Sequence, residues 1–198
     1  MHDGVIDTDR RRFLTTTATV VGGIGAIASS VPFISTMTPS AKTRAIGAPV
    51  EVDISELKPG ERMTVKWQGK PVWILRRASA TLEHIDSLDE KLRDPDSEVA
   101  QQPDYARNEY RSIKPEYLVV IGLCTHLGCS PQYLPVDAPT DFGPDWKGGF
   151  FCPCHGSRFD MAGRVFKGVP APANLVVPPH KYISENKILI GDDSELST

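Results

Sequence analysis

Two short segments of this sequence hold the residues best suited to bind a metal. The first runs Cys124-Thr125-His126-Leu127-Gly128-Cys129 and the second Cys152-Pro153-Cys154-His155-Gly156-Ser157, so each offers two thiols and one imidazole. The chain has four cysteines, and all of them lie in these two boxes. A disulfide framework spreads its cysteines along the chain, so this clustering reads as one local site. Structural zinc is one reading, because four mixed Cys and His ligands are common for it. Zinc leaves two of the six donors without a task, and an exported protein rarely keeps spare thiols beside a metal. A 2Fe–2S centre matches the set better. Two thiolates take one iron, two imidazoles take the other, and two cysteines remain to pair with each other.

Short β-strands are expected to position these boxes. Residues 117–123 form a continuous apolar run, which predicts a buried strand delivering the first box, and Gly149-Phe150-Phe151 leads into the second. Between them, residues 130–148 are rich in Pro, Asp and Gly and read as an insertion. Upstream, residues 50–54 and 63–67 alternate, and Gln68-Gly69-Lys70 supplies a turn before the apolar run at 72–75. Residues 165–166, 175–177 and 187–190 predict further short strands. The one helical pattern past residue 50 is 81–93, where Leu82, Ile85, Leu88 and Leu92 recur at helical steps and Asp94-Pro95 ends the run. Residues 94–112 are polar and irregular and predict a long surface loop. The fold class is therefore mainly β, a small sandwich or layered antiparallel fold. His84 is expected on the solvent face of the helix, His180 on the surface and His2 in a loose terminus, none with ligand spacing. Trp67, Trp73 and Trp146 are read as packing residues rather than a redox relay.

The N-terminus is a different kind of sequence. Arg10-Arg11-Arg12-Phe13-Leu14 precedes a stretch without a charged residue from 13 to 41. About 20 helical residues span the roughly 30 Å of a hydrocarbon core, so a transmembrane anchor is expected at residues 13–37. Arginines before the span place the N-terminus in the cytoplasm and the remainder outside, against a weaker opposite bias from Lys42 and Arg44. Arg-Arg-x-Phe-Leu resembles a twin-arginine export signal, a route that carries folded proteins. Residues 38–49 read as a linker. The formal net charge of −3, with no basic block or stripe, excludes a typical nucleic-acid binder.

Taken together, CTHLGC, CPCHGS, the lead-in Arg-Ser-Ile-Lys-Pro-Glu-Tyr-Leu-Val-Val at 111–120 and the N-terminal anchor resemble the Rieske subunits of bacterial quinol–cytochrome c oxidoreductases. The resemblance implies a layered antiparallel β fold with a small cluster-binding subdomain at about 122–173, within a periplasmic domain at 50–198. A cytoplasmic segment at 1–12, the anchor and a flexible hinge at 38–49 would precede it. It implies one 2Fe–2S cluster, with Cys124 and Cys152 on the buried iron and His126 and His155 on the outer one. Cys129 and Cys154 would form a disulfide tying the two loops, as an oxidising compartment permits. Ser157 looks like the serine whose hydroxyl bonds a cluster sulfide, and Pro170 belongs to a segment, 168–172, resembling a proline loop over the cluster. His155 is the expected quinol contact and Leu127 shapes the docking surface.

The implied partners are quinol, cytochrome b and a membrane c-type cytochrome, within a dimeric complex of the bacterial inner membrane. An alternative is the Rieske subunit of a periplasmic molybdenum oxidase such as arsenite oxidase, and a cytoplasmic Rieske ferredoxin is a weaker one. The sequence departs from the family pattern where Phe159 stands in place of a tyrosine and Arg158 in place of a histidine. A tyrosine hydroxyl could donate to a ligating sulfur, and phenylalanine cannot. A lower reduction potential is expected.

Overall fold

A computed structural model describes residues 7–40, 43, 45, 47–138, 142–143, 146–194 and 196. His2, part of the expected hinge at 38–49 and part of the insertion at 130–148 lie outside the described residues. The chain divides into two compact units, residues 1–45 and residues 46–198.

The first unit is built on one helix, α1 (Thr8–Thr36), which starts before the anchor expected at 13–37. Asp7 caps it, its carboxylate accepting the N–H groups of Asp9 and Arg10. Thr15, Thr19, Ser29, Ser30, Ser35 and Thr36 turn their hydroxyls back onto the helix, as Thr15 does to the Arg11 carbonyl and Ser29 to that of Gly25. Their polar groups are thus satisfied internally, as a lipid environment requires. By length and composition the helix can cross a membrane.

The second unit contains nine strands among the described residues: β1 (Val50–Asp53), β2 (Arg62–Trp67), β3 (Lys70–Arg76), β4 (Tyr117–Ile121), β5 (Gln132–Leu134), β6 (Gly149–Cys152), β7 (Ser157–Phe159), β8 (His180–Ser184) and β9 (Lys187–Ile190). They form three antiparallel sheets in the orders β1-β9-β8, β2-β3-β4 and β5-β6-β7. Gln68 and Gly69, at φ 49° and 76°, make the two-residue turn joining β2 to β3.

The sheet β2-β3-β4 explains why β3 and β4 read as unbroken apolar runs, since it is covered on both faces. Val72, Ile74, Tyr117 and Val119 pack with Val52, Ile54, Ile188 and Ile190. Trp73, Leu75, Leu118 and Val120 pack on the other side with Cys124, Phe150, Cys152, Phe159 and Leu175. Alternate residues along a strand point to opposite faces, so a doubly covered strand shows no polar phase.

Several local expectations are corrected. Residues 81–93 form a single α-turn at Ser79–Leu82 and a 3-10 stretch at Asp86–Lys91 instead of one helix. The three-residue steps of Ile85 and Leu88 serve either geometry, and both are buried. Residues 94–112 are only partly at the surface: most are exposed or half-buried, but Asp94, Ser97, Ala106, Arg111 and Ser112 are buried and Asp104–Ala106 form a 3-10 turn. Residues 165–166 make only isolated bridges, Leu92 with Phe166 and Phe159 with Val165, and 175–177 form no strand. His180 is 1% exposed rather than on the surface, whereas His84 is exposed as expected. The three tryptophans are buried within the apolar clusters.

Candidate metal centre

The first box is the loop leaving β4, and the second is the turn between β6 and β7, where Cys152 pairs with Ser157. The two boxes share one turn design. In each, a glycine four residues after the first cysteine donates its N–H to that cysteine's carbonyl: Gly128 to Cys124 and Gly156 to Cys152, both at 2.9 Å. Gly128 and Gly156 have φ of 79° and 75°, left-handed values that a side chain disfavours. Similar Cys-x-x-x-Gly spacing in the two boxes therefore builds two similar loops from unrelated sheets. A further bond, Cys124 N–H to the Cys129 carbonyl at 2.7 Å, closes the first loop on itself.

Cys129 and Cys154 are joined by a disulfide across the two loops. Cys124 and Cys152 are free and buried, 3% and 2% exposed, with their thiols within hydrogen-bonding reach of each other. Burial pushes the Cys124 thiol up, so the pocket disfavours a bare thiolate and leaves the charged form to be held by a metal. The sulfurs of Cys129, Cys152 and Cys154 also lie within 4.8 Å of one another, but two of them are bound to each other, so only Cys152 of that trio keeps a thiol. His126 and His155 stand edge to face with ring centroids 4.8 Å apart. His155 is exposed and His126 half-buried.

This arrangement separates the donors: two buried thiols on the inside, two imidazoles at the rim. It fits a 2Fe–2S group with thiolates on the inner iron and imidazoles on the outer one. The same four donors would also suit zinc.

The third side of the site is residues 168–172. Val169 and Ala171 point inward and are buried, while Pro170 is exposed. The Ala171 N–H donates to Ser157 Oγ at 3.0 Å, and Thr125 Oγ1 donates to the carbonyl of the nearby Ala173 at 2.6 Å, so the chain at 168–173 is tied to both boxes. Arg93 Nη2 holds its Val169 carbonyl at 3.0 Å. Ser157 is fully buried and reaches the Cys124 sulfur. Leu127 is 72% exposed beside these rims, a large apolar side chain in water. Along β7, Ser157 and Phe159 share one face and Arg158 takes the other; Phe159 is fully buried in the same cluster as Cys124 and Cys152.

Sequence reasoning missed the polar network under the second box. Asp160 follows β7, and its carboxylate accepts the N–H groups of Ala162 and Arg164 and the Arg164 Nε. Arg164 also reaches Asp89 Oδ1 at 2.7 Å and the Ile85 carbonyl. Arg77 donates to the carbonyls of Pro115, Tyr110 and Met161, and Arg111 to those of Ala162, Gly163 and Leu175. Burial lowers both Arg77 and Arg111 to about 10, so both stay charged at neutral pH. Three buried arginines thus hold the turn at 160–164. No local signal distinguishes them from surface arginines.

Residues 49–179 match the family model for the Rieske [2Fe-2S] domain, and residues 1–40 match that for the ubiquitinol-cytochrome C reductase Fe-S subunit TAT signal. The chain is 61% identical to the ubiquinol-cytochrome c reductase iron-sulfur subunit of Allochromatium vinosum, over 93% of this chain and 89% of that one. It is 44% identical to the subunit of the same name from Blastochloris viridis, over 93% and 94%. Among solved structures, a chain of a hyperthermophilic respiratory Complex III is 25% identical with a TM-score of 0.46, covering 88% of this chain and 98% of that one.

Proposed function

The chain belongs to the Rieske iron–sulfur subunits of ubiquinol–cytochrome c reductase, and from that premise we propose that it takes an electron and a proton from quinol and passes the electron to a membrane c-type cytochrome. It carries a Rieske 2Fe–2S cluster, for which Cys124, Cys152, His126 and His155 are the proposed ligands. Bound there, the cluster supplies a one-electron carrier whose potential is raised by neutral imidazole in place of thiolate.

The protein's own groups do the rest. His155 is exposed, so an imidazole nitrogen not engaged by metal can accept a hydrogen bond from a quinol hydroxyl and then hold its proton. Leu127 offers an apolar surface to the quinol site of a partner. The 168–172 segment, with Val169 and Ala171 buried, excludes water from the inner thiols. Cytochrome b and the c-type cytochrome are the proposed partners, with the anchor in a bacterial inner membrane and residues 50–198 in the periplasm. Residues 38–49 are the proposed hinge, and the dimeric state follows the family. The relatives are reductase subunits, and no observation favours the molybdenum-oxidase alternative.

The single observation carrying this reading is the split donor set: two buried free thiols and two rim imidazoles, with the remaining cysteines in a disulfide. Purification from detergent-solubilised membranes tests it. Reduced protein is expected to show a 2Fe–2S paramagnetic resonance signal with couplings to two histidine nitrogens, and to co-purify with b- and c-type haem. Substitution of any of the four ligands is expected to abolish the signal. Stoichiometric zinc without iron in the native protein would overturn it.

A further inference from the structure

The stretch Pro170-Ala171-Pro172-Ala173 closes the third side of the metal centre with few bonds of its own. Its two prolines have no N–H to donate. On the metal side it is held by the Ser157 and Thr125 hydroxyls, and just beyond it the Ile121 N–H donates to the Val176 carbonyl at 2.8 Å. Its opposite edge is held by residues 91–101, far away in sequence. The Arg93 N–H donates to the Val165 carbonyl at 2.9 Å, the Lys167 N–H to the Lys91 carbonyl at 2.8 Å, and the Val177 N–H to the Gln101 carbonyl at 2.8 Å.

Two side chains carry that support to the ends of the proline stretch. Arg93 Nη2 takes the Val169 carbonyl at one end, across a sequence separation of 76. Asn174 stands at the other end and is 0% exposed. Its Oδ1 accepts the Val165 N–H at 2.8 Å, and its Nδ2 donates to the Asp94 carbonyl at 2.9 Å and to Ser97 Oγ at 3.3 Å. A backbone N–H can only donate and a carbonyl can only accept, so these partners fix which way the amide faces. Breaking either backbone bond leaves a polar group unsatisfied in the interior, which makes the amide a stiff strut. The turn that receives it is itself constrained. Asp94 accepts the N–H groups of Glu98 and Val99, and Ser97 is buried with a left-handed φ of 54°. A residue with a side chain keeps that conformation where its surroundings hold it there.

We propose that Arg93 and Asn174 are positioning residues for the electron-transfer site, latching residues 169–173 over the inner thiols from the side away from the metal. The 91–101 stretch then governs how well the centre is shielded from water. The inference rests on the proposed ligand set, Cys124, His126, Cys152 and His155.

The full chain in detergent is compared with Arg93→Met, which keeps the apolar stem and removes the donor, and with Asn174→Ala. Amide hydrogen exchange is expected to become roughly tenfold faster at Val169, Ala171 and Ala173 in each variant and to stay unchanged in β4. In heavy water, the pulsed paramagnetic resonance signal of the reduced cluster is expected to show deeper deuterium modulation in the variants, because solvent reaches the inner iron. Unchanged exchange at these three amides in Arg93→Met overturns the proposal, even where Asn174→Ala fails to fold. Faster exchange with unchanged deuterium modulation also overturns it, since the segment would then move without admitting water. Exchange that rises equally in β4, with a lower urea midpoint, assigns both residues to general stability and overturns it too. A parent protein without a 2Fe–2S signal instead overturns the ligand reading, and the exchange rates still decide whether the latch exists.

Discussion

Phe159 shows how one atom can set the working range of a redox site. It lies on the same face of β7 as Ser157, fully buried in the cluster that contains Cys124 and Cys152. A hydroxyl at the end of this ring is expected to donate to the sulfur of Cys124 or Cys152, the proposed ligands. Such a bond favours the reduced centre, which carries more negative charge. With a differential contribution of about 1 kcal/mol, a one-electron potential moves by roughly 40 mV. Phe159→Tyr is therefore expected to raise the potential by tens of millivolts in a redox titration of the intact protein; an unchanged or lower value with the cluster intact would refute this role. The two boxes stood out in the sequence because their spacing is short: each is one turn, and a turn is encoded locally. What holds the boxes in place did not. Arg164, Arg77 and Arg111 act through partners tens of residues away, and a polar residue with a distant partner looks the same in sequence as one in water.

At the scale of elements, the same contrast between near and far recurs. β3 and β4 were readable because burial on both faces leaves a continuous apolar run, and the β2–β3 turn because Gln68-Gly69 is a local device. Residues 81–93 were misread as a helix because Ile85 and Leu88, three apart, satisfy a 3-10 turn as well as an α-helix. The loop at 94–112 looked like surface because its polarity is spent inward, for example by Asp94, whose carboxylate accepts the N–H groups of Glu98 and Val99. The two cluster loops come from different sheets, and the Cys129–Cys154 disulfide is the covalent tie between them among the described residues. It closes a sequence separation of 25. Cys154→Ser is expected to lower stability by roughly 2–4 kcal/mol, read as a drop in the denaturant midpoint, while all four proposed ligands remain. No loss relative to the parent protein would show that the loops are held without it.

Over the whole molecule, His180 connects the first residue of β8 to the 3-10 turn at Asp104–Ala106 and to the C-terminal segment. Its N–H donates to Tyr105 Oη at 2.9 Å, its ring meets that tyrosine edge to face, Nδ1 bonds the Pro178 carbonyl, and the Asp193 charge is nearby. Burial is the largest influence and lowers its pKa below 6.5, with the Pro178 carbonyl and Asp193 opposing. The unfolded chain then takes up the proton first. Stability is present above 6.5 and is lost as pH falls through the window between 6.5 and the lower folded value. The urea midpoint is expected to fall between pH 7 and pH 5, and to fall less steeply in His180→Gln; an equal slope in both would assign the effect elsewhere. A different consequence follows from the pairing of Val50 with Ile190, the first strand with the last. During synthesis β1 must wait for β9, and at ordinary translation rates that wait is roughly 10–30 s. The export signal leaves the ribosome well before the domain behind it can close. A protein ordered in this way is timed for release before translocation, and any shortening of the C-terminal strand should leave a complete signal attached to a cargo that never becomes ready to cross.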